Sequence, residues 1–240
     1  MYKRQVYSYD AIARYTELGC SMTARPSTIA NYFQDCAILQ SEEVGIGIKY
    51  LKEKQRAWFL LSWQIVVDRY PVLMEKLKVR TWAYDFKGFL GYRNIDILDE
   101  AGNRIVYGAS IWSYMDTAVM KPVRIEPEVS AAYPMEPAID MEYAPRKITL
   151  TGEGVLLDER RVMAYQIDSN GHMNNEAYIA MAEEYADNLK DIKEIRAEYK
   201  KQLMKNDVVK VRQVSSDGRL QIIFTDKNDD ISCVVMFIYI

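Results

Sequence analysis

The chain has 240 residues, 49% of them hydrophobic and 12% aromatic, and a formal net charge of −3. That length and apolar content support a real core, argue against intrinsic disorder, and leave room for one large domain or two of ordinary size. The slight acid excess, with no basic block to neutralise phosphates, argues against nucleic-acid binding. Cys20, Cys36 and Cys233 are odd in number, far apart and without metal-ligand spacing, which points to reduced thiols. The N-terminal MYKRQVYSYD lacks the apolar run of a secretory signal, and the apolar stretch Cys233–Ile240 is too short to span a membrane. The expectation is a soluble, cytoplasmic protein with no membrane span.

In chain order, Ser27 is placed to cap a helix whose apolar residues Ile29, Tyr32, Phe33, Cys36 and Leu39 recur at helical spacing, with Cys36 in the core. Strand-like runs follow at Ala57–Arg69, Leu77–Asp85, Leu90–Leu98 and Arg104–Asp116, the last two joined by the turn-forming cluster Asp99-Glu100-Ala101-Gly102-Asn103. Of the 7 prolines, Pro122, Pro127, Pro134, Pro137 and Pro145 fall together. Each fixes φ and removes a donor, so residues 121–146 read as an extended linker between a first domain, 1–120, and a second, 147–240.

The second part repeats the first. Asn174 caps a helix with Tyr178, Met181, Ala182, Tyr185 and Leu189 on one face. Between Asp191 and Leu203 the apolar spacing slightly favours helix, yet Ile195, Ala197 and Tyr199 also alternate as a strand does. Symmetry with the first part decides for a strand. Further runs lie at Val208–Val214, Leu220–Phe224 and Ser232–Ile240, with Asp217-Gly218 as a hairpin signal. Each part thus offers one strand, a helix and four antiparallel strands. The fold class is α+β: two tandem hot-dog domains, each a curved antiparallel sheet wrapped around a central helix.

Two stretches carry a family resemblance. The first runs from Trp58-Phe59-Leu60-Leu61-Ser62-Trp63-Gln64-Ile65 through Arg69-Tyr70-Pro71, Val79-Arg80-Thr81-Trp82 and Arg93-Asn94-Ile95-Asp96 to Ala109-Ser110-Ile111-Trp112. The second, Asp168-Ser169-Asn170-Gly171-His172-Met173-Asn174-Asn175-Glu176-Ala177-Tyr178, is similar to a D-x-N-x-H-x-N-N-x-x-Y motif. Together they resemble the acyl-acyl carrier protein thioesterase family of plants and bacteria. The resemblance implies hydrolysis of fatty acyl-acyl carrier protein to free fatty acid and holo-carrier protein, in fatty acid biosynthesis. It puts the catalytic positions on Asp168, Asn170, His172 and Glu198. It also puts Tyr199 where many members carry cysteine, which argues against a Cys–His nucleophile.

Those residues suit the chemistry. His172 is the single histidine, and an imidazole exchanges protons near neutral pH. Glu198 is placed to orient it or to hold the attacking water itself, and Asn170 offers a fixed dipole with donor and acceptor. N–H groups of the helix beginning near Asn174 are candidates for the oxyanion site. Two plainer readings stand beside this: Asp168–Asn175 as only a well-made turn, and Glu198 as a solvated strand face. The first part has no counterpart of the motif, its turn reading Thr23-Ala24-Arg25-Pro26-Ser27, so the resemblance implies one centre per chain and an acyl-chain pocket shaped by the first domain. Trp58, Trp82 and Trp112 are expected in core or tunnel wall.

The partner implied is an acyl carrier protein with a phosphopantetheine-linked acyl chain, for which Lys200, Lys201, Lys205, Lys210 and Arg212 offer a basic patch. Acyl-CoA hydrolysis, a non-catalytic acyl-binding module and a dehydratase are the alternatives. Exposed sheet edges leave a homodimer open. One histidine, no clustered cysteines and no Gly-rich phosphate loop give no cause to expect a metal or organic cofactor.

Overall fold

The computed structural model describes residues 6–239. In the first half, β1 (Tyr7–Ile12) leads through a short 3-10 turn (Tyr15–Glu17) to α1 (Pro26–Glu43) and α2 (Ile48–Glu53). Four strands follow: β2 (Arg56–Val67), β3 (Lys76–Lys87), β4 (Leu90–Leu98) and β5 (Arg104–Asp116). After β6 (Lys121–Pro122) and α3 (Pro127–Ala132), the second half repeats the series with β7 (Val155–Arg161), a 3-10 turn (Ala164–Gln166) and α4 (Asn175–Glu183). It closes with β8 (Ile192–Tyr199), β9 (Val208–Ser216), β10 (Arg219–Thr225) and β11 (Ile231–Tyr239). The ambiguous stretch after α4 is therefore a strand, as internal symmetry requires. Residue 240, at the end of the last expected run, lies outside the described residues.

The strand order β1-β3-β4-β5-β2-β8-β11-β10-β9-β7 reads the same from either end once the halves are matched. The halves join where β2 pairs antiparallel with β8, from Ser62 opposite Glu198 to Val66 opposite Glu194. One sheet thus wraps two helices, which is the tandem hot-dog arrangement. Strand alternation assigns the faces. Trp63, Ile65 and Val67 of β2 and Ile195 and Ala197 of β8 turn inward onto the helices, where Ile29, Phe33 and Cys36 of α1 are fully buried. Burial pushes the Cys36 thiol pKa up to about 12, as for a core cysteine. No helix is long and apolar enough to cross a membrane among the described residues.

Three local expectations change. Ser27 is not the cap of α1: the helix starts two residues earlier, with Pro26 in its first turn and Arg25 at the N-cap position, where no side chain bonds back. The orphan Ser27 N–H instead donates to Glu183 Oε1 at the end of α4. α4 ends at Glu183, so Tyr185 and Leu189 pack against the core from beyond it. The proline-rich stretch is not extended throughout, because Pro127 opens the short helix α3 at the one helical position that tolerates proline.

Past α3 the chain crosses the outer face of the sheet as a strap. Trp82 Nε1 donates to Pro137 O (2.9 Å), and Asn94 Oδ1 accepts from Ile139 N (3.1 Å) and the Tyr143 hydroxyl (3.0 Å). Gln64 donates to Glu142 O (3.0 Å) and accepts from Ala144 N (2.9 Å), while Gln221 donates to Thr149 O (2.9 Å). Polar side chains inside strands are thereby satisfied by backbone that has no strand partner of its own. The sheet beneath leaves no spare room. A Cβ on Gly108 of β5 would stand 2.1 Å from the Gln64 carbonyl oxygen. Gly108→Ala is expected to destabilise by roughly 1–3 kcal/mol or more, read as a lower urea midpoint.

Candidate active site

The motif loop is a tight turn between the second 3-10 turn and α4. Asp168 N donates to His172 O (2.8 Å) and Gly171 N to Asp168 O (3.0 Å). Gly171 takes φ 83°, the left-handed region that costs glycine least. The Asp168 carboxylate sits inside the turn. Its Oδ1 accepts from Asn170 N (2.8 Å) and His172 N (3.3 Å), and its Oδ2 from Asn170 Nδ2 (3.4 Å). Asp168 thus holds His172 through its backbone, and Asn170 through both its backbone and its side-chain amide.

The His172 imidazole makes no hydrogen bond to the described residues and lies edge-on to Phe59, with ring centroids 6.5 Å apart. Asn174 caps α4 as expected, its Oδ1 accepting from Glu176 N (3.4 Å). Gln34 of α1 grips the same helix end, donating to Asn174 Oδ1 (2.9 Å) and accepting from Asn175 Nδ2 (3.2 Å). Nothing in the sequence marked Gln34, because its partners lie in the other half of the chain. Ala177 N is taken by Asn174 O and Glu176 N by the Asn174 side chain, while the Asn175 N–H has no partner among the described residues.

A cavity of about 590 Å³ opens beside this loop. Asp168, Asn170, His172 and Asn175 line it from the second half, and the first half lines the rest, chiefly through α1, α2, β2 and β4, with Trp58 and Trp112 in the wall. Trp82 lies elsewhere, on the outer face under the strap.

Glu198 is not brought to this site. It is 4% exposed on the outer face of β8, where Oε2 accepts from Ile148 N of the strap (3.0 Å) and Lys200 Nζ approaches to 3.6 Å. Strand alternation is the reason: its neighbours Ala197 and Tyr199 face inward. Nor is it a solvated face, since the strap covers it. Tyr199 donates from its hydroxyl to Asn175 O (2.9 Å), and burial drives its pKa well up. Glu198→Gln, which keeps an acceptor for Ile148 N, is expected to leave turnover within about twofold. Glu198→Ala strands that buried N–H and is expected to cost about 1–3 kcal/mol in a denaturation series.

The basic patch expected for a carrier protein also changes. Lys201 is paired with Asp226 and Asp230, and Lys210 and Arg212 with Asp229. None of them lines the cavity. At the mouth stand Lys52 and Arg56, of which Arg56 is held by Asp116 and Glu126 while Lys52 has no ion pair among the described residues.

The motif turn has a twin in the first half, four residues earlier than the sequence reading put it. Gly19 N donates to Thr23 O (2.9 Å), Met22 N donates to Gly19 O (3.0 Å), and Met22 takes φ 60°. The bridges Leu18–Ala24 and Ile167–Met173 close the two turns identically. Gly19, Ser21 and Thr23 thus stand where Asp168, Asn170 and His172 stand in the second half.

The acyl-ACP thioesterase N-terminal domain model matches residues 4–133, and the corresponding C-terminal domain model matches residues 155–236. The chain belongs to the acyl-ACP thioesterase family. Among its relatives is the chloroplastic palmitoyl-acyl carrier protein thioesterase of Gossypium hirsutum, 23% identical over 235 residues, or 90% of this chain and 56% of that protein. The chain spans about half the length of the curated plant relatives it matches. An acyl-ACP thioesterase from Bacteroides thetaiotaomicron superposes with a TM-score of 0.90 at 20% identity, covering 98% of each chain. The 12:0-ACP thioesterase of Umbellularia californica gives 0.86 at 16% identity, covering 99% of this chain and 98% of that one. At those identities the structural likeness speaks for the fold.

Proposed function

We propose that this family member hydrolyses fatty acyl-acyl carrier protein to free fatty acid and holo-carrier protein in fatty acid biosynthesis. The observation that carries the reading is the single histidine, unbonded and half-buried, at the end of a largely apolar cavity of small-molecule size. An acyl chain lies in the cavity with its thioester carbonyl beside the loop. His172 takes a proton from water as the water oxygen attacks the carbonyl carbon. The Asn175 N–H and the Asn170 amide donate to the oxygen that becomes negative. The C–S bond then breaks, and the departing thiolate receives the proton from His172. With Glu198 remote, the imidazole is the base, and Asp168 is a positioning residue.

The carrier protein docks over the mouth, where Lys52, without an ion pair among the described residues, offers positive charge to an acidic partner. The edge strands β1 and β7, with Val155 and Leu156 turned outward, are where a homodimer would form. Free thiols at Cys20, Cys36 and Cys233 suit the reducing cytoplasm.

The test is thiol release from a panel of acyl-acyl carrier proteins and matching acyl-CoAs, with Asn170→Ala beside wild type. Carrier-protein esters are expected to react well above CoA esters, and Asn170→Ala to lower the rate on the order of 10–1000-fold. CoA preference would keep the chemistry and correct the partner. No hydrolysis of either would leave a binding module.

A further inference from the structure

Each central helix holds the first turn of the other through one side chain, and the two contacts differ. Arg25 is the N-cap residue of α1 and Asn174 that of α4. Gln34 of α1 and Glu183 of α4 each stand nine residues past their cap, so they are twins, as the turns before the helices are. Both cross to the opposite helix. Glu183 takes a backbone donor, the Ser27 N–H. Gln34 takes no backbone group. Its Nε2 donates to Asn174 Oδ1 (2.9 Å), and its Oε1 accepts from Asn175 Nδ2 (3.2 Å).

The first residue of each helix differs in the same sense. In α1 it is Pro26, which has no N–H, and neither Pro26 nor Ser27 lines the cavity. In α4 it is Asn175, whose N–H has no partner among the described residues and which lines the cavity together with Gln34 and His172. A carboxylate at position 34 would compete for N–H groups, as Glu183 does at Ser27, and would set a negative charge beside a developing one. A primary amide avoids both, because it satisfies one neighbour as donor and the other as acceptor. The neutral twin stands at the end that faces the cavity.

What Gln34 fixes is residue 175. The Asn175 carbonyl accepts from the Tyr199 hydroxyl (2.9 Å) of β8, and the Asn175 side chain is held by Gln34, so the residue is pinned from both halves of the chain. A donor that stabilises developing charge is effective when it is already aimed before the reaction begins. Misplacing such a group by roughly 1 Å lowers the rate by about 100-fold.

We propose that Gln34 is a positioning residue for thioester hydrolysis, aiming the Asn175 N–H at the thioester carbonyl oxygen by holding the side chains of Asn174 and Asn175. The proposal rests on the hydrolase reading above and gives the first half a part in the chemistry besides shaping the acyl pocket. The test begins with Gln34→Met, which keeps length and bulk and removes both hydrogen bonds. It is expected to lower kcat on the order of 10–100-fold and to leave KM within about twofold. A general loosening of the pocket would raise KM instead.

Asn175→Ala keeps the backbone N–H and breaks the same contact from the other side. It should show the same split, and the double variant should be no slower than about the worse single one, because the two changes remove one interaction. Glu183→Gln, the mirror substitution, should leave kcat within about twofold. Wild-type kcat in Gln34→Met, losses that multiply in the double variant, or an equal loss from Glu183→Gln would each overturn the proposal and leave the hydrolase reading standing. If Gln34→Met does not fold, Asn175→Ala decides on the same split of kcat and KM. A wild type that hydrolyses no thioester removes the hydrolase reading, and the positioning role falls with it.

Discussion

His172→Ala is expected to lower kcat/KM for thioester hydrolysis by about 10²–10⁴-fold, the usual worth of a positioned proton-transfer group, while the thermal midpoint stays near that of wild type. The two halves of this expectation come from the same geometry. The imidazole makes no hydrogen bond to the described residues and lies edge-on to Phe59, so its removal leaves no described polar partner stranded. The turn is held by the backbone of residue 172, whose N–H reaches Asp168 Oδ1 and whose carbonyl accepts from Asp168 N, and alanine keeps both. Loss of rate with an unchanged melting curve and circular dichroism would assign the effect to chemistry. Wild-type turnover in the variant would remove His172 from the mechanism altogether.

The twin turn of the first half bears on whether Asp168–Asn175 is merely a well-made turn. Gly19 to Thr23 closes the same backbone hydrogen bonds with no carboxylate at its first position. The fold therefore does not need Asp168 to form the turn. What the carboxylate adds is three further bonds, all to Asn170 and His172, at the cavity end. Fixing the two residues that face the cavity is what the proposed mechanism asks of Asp168 as a positioning residue.

Much of the sheet was legible because local signals agreed. β4 and β5 fall where the apolar runs and the Asp99–Asn103 turn put them, and that turn is sealed by Asp99 Oδ1 accepting from Asn103 N at 2.8 Å. The outward setting of Glu198 was legible too. The alternation of Ile195, Ala197 and Tyr199 that argues for a strand places Glu198 on the opposite face from all three. What the sequence hid depends on distant partners. The strap is bonded by Gln64, Asn94, Trp82 and Glu198 from four strands, and no local pattern foretells which backbone groups will need them. The cap of α1 is supplied from another helix, while Ser27, a good cap by type, is displaced inward by the proline before it.

That remote cap makes stability depend on pH. Glu183 is buried at the junction of α1 and α4, and burial raises its pKa from 4.5 to about 7, with the Ser27 hydrogen bonds and Arg25 opposing. The folded state thus holds a proton that the unfolded chain has released between those values. The stability from this group is fully present below about pH 4.5 and is lost as pH rises through about 7, a change of roughly 3 kcal/mol. Glu183→Gln keeps an oxygen for Ser27 N and has no charge to bury. Its stability should match wild type near pH 4 and exceed it by up to about 3 kcal/mol near pH 8, read from paired urea titrations. Pairing cancels the carboxylates that act the other way, such as Glu75, held below its usual range by Arg69. A difference between the two proteins that stays flat across that range would mean Glu183 is ionised in the fold, with the α1 N-terminus and Arg25 outweighing burial.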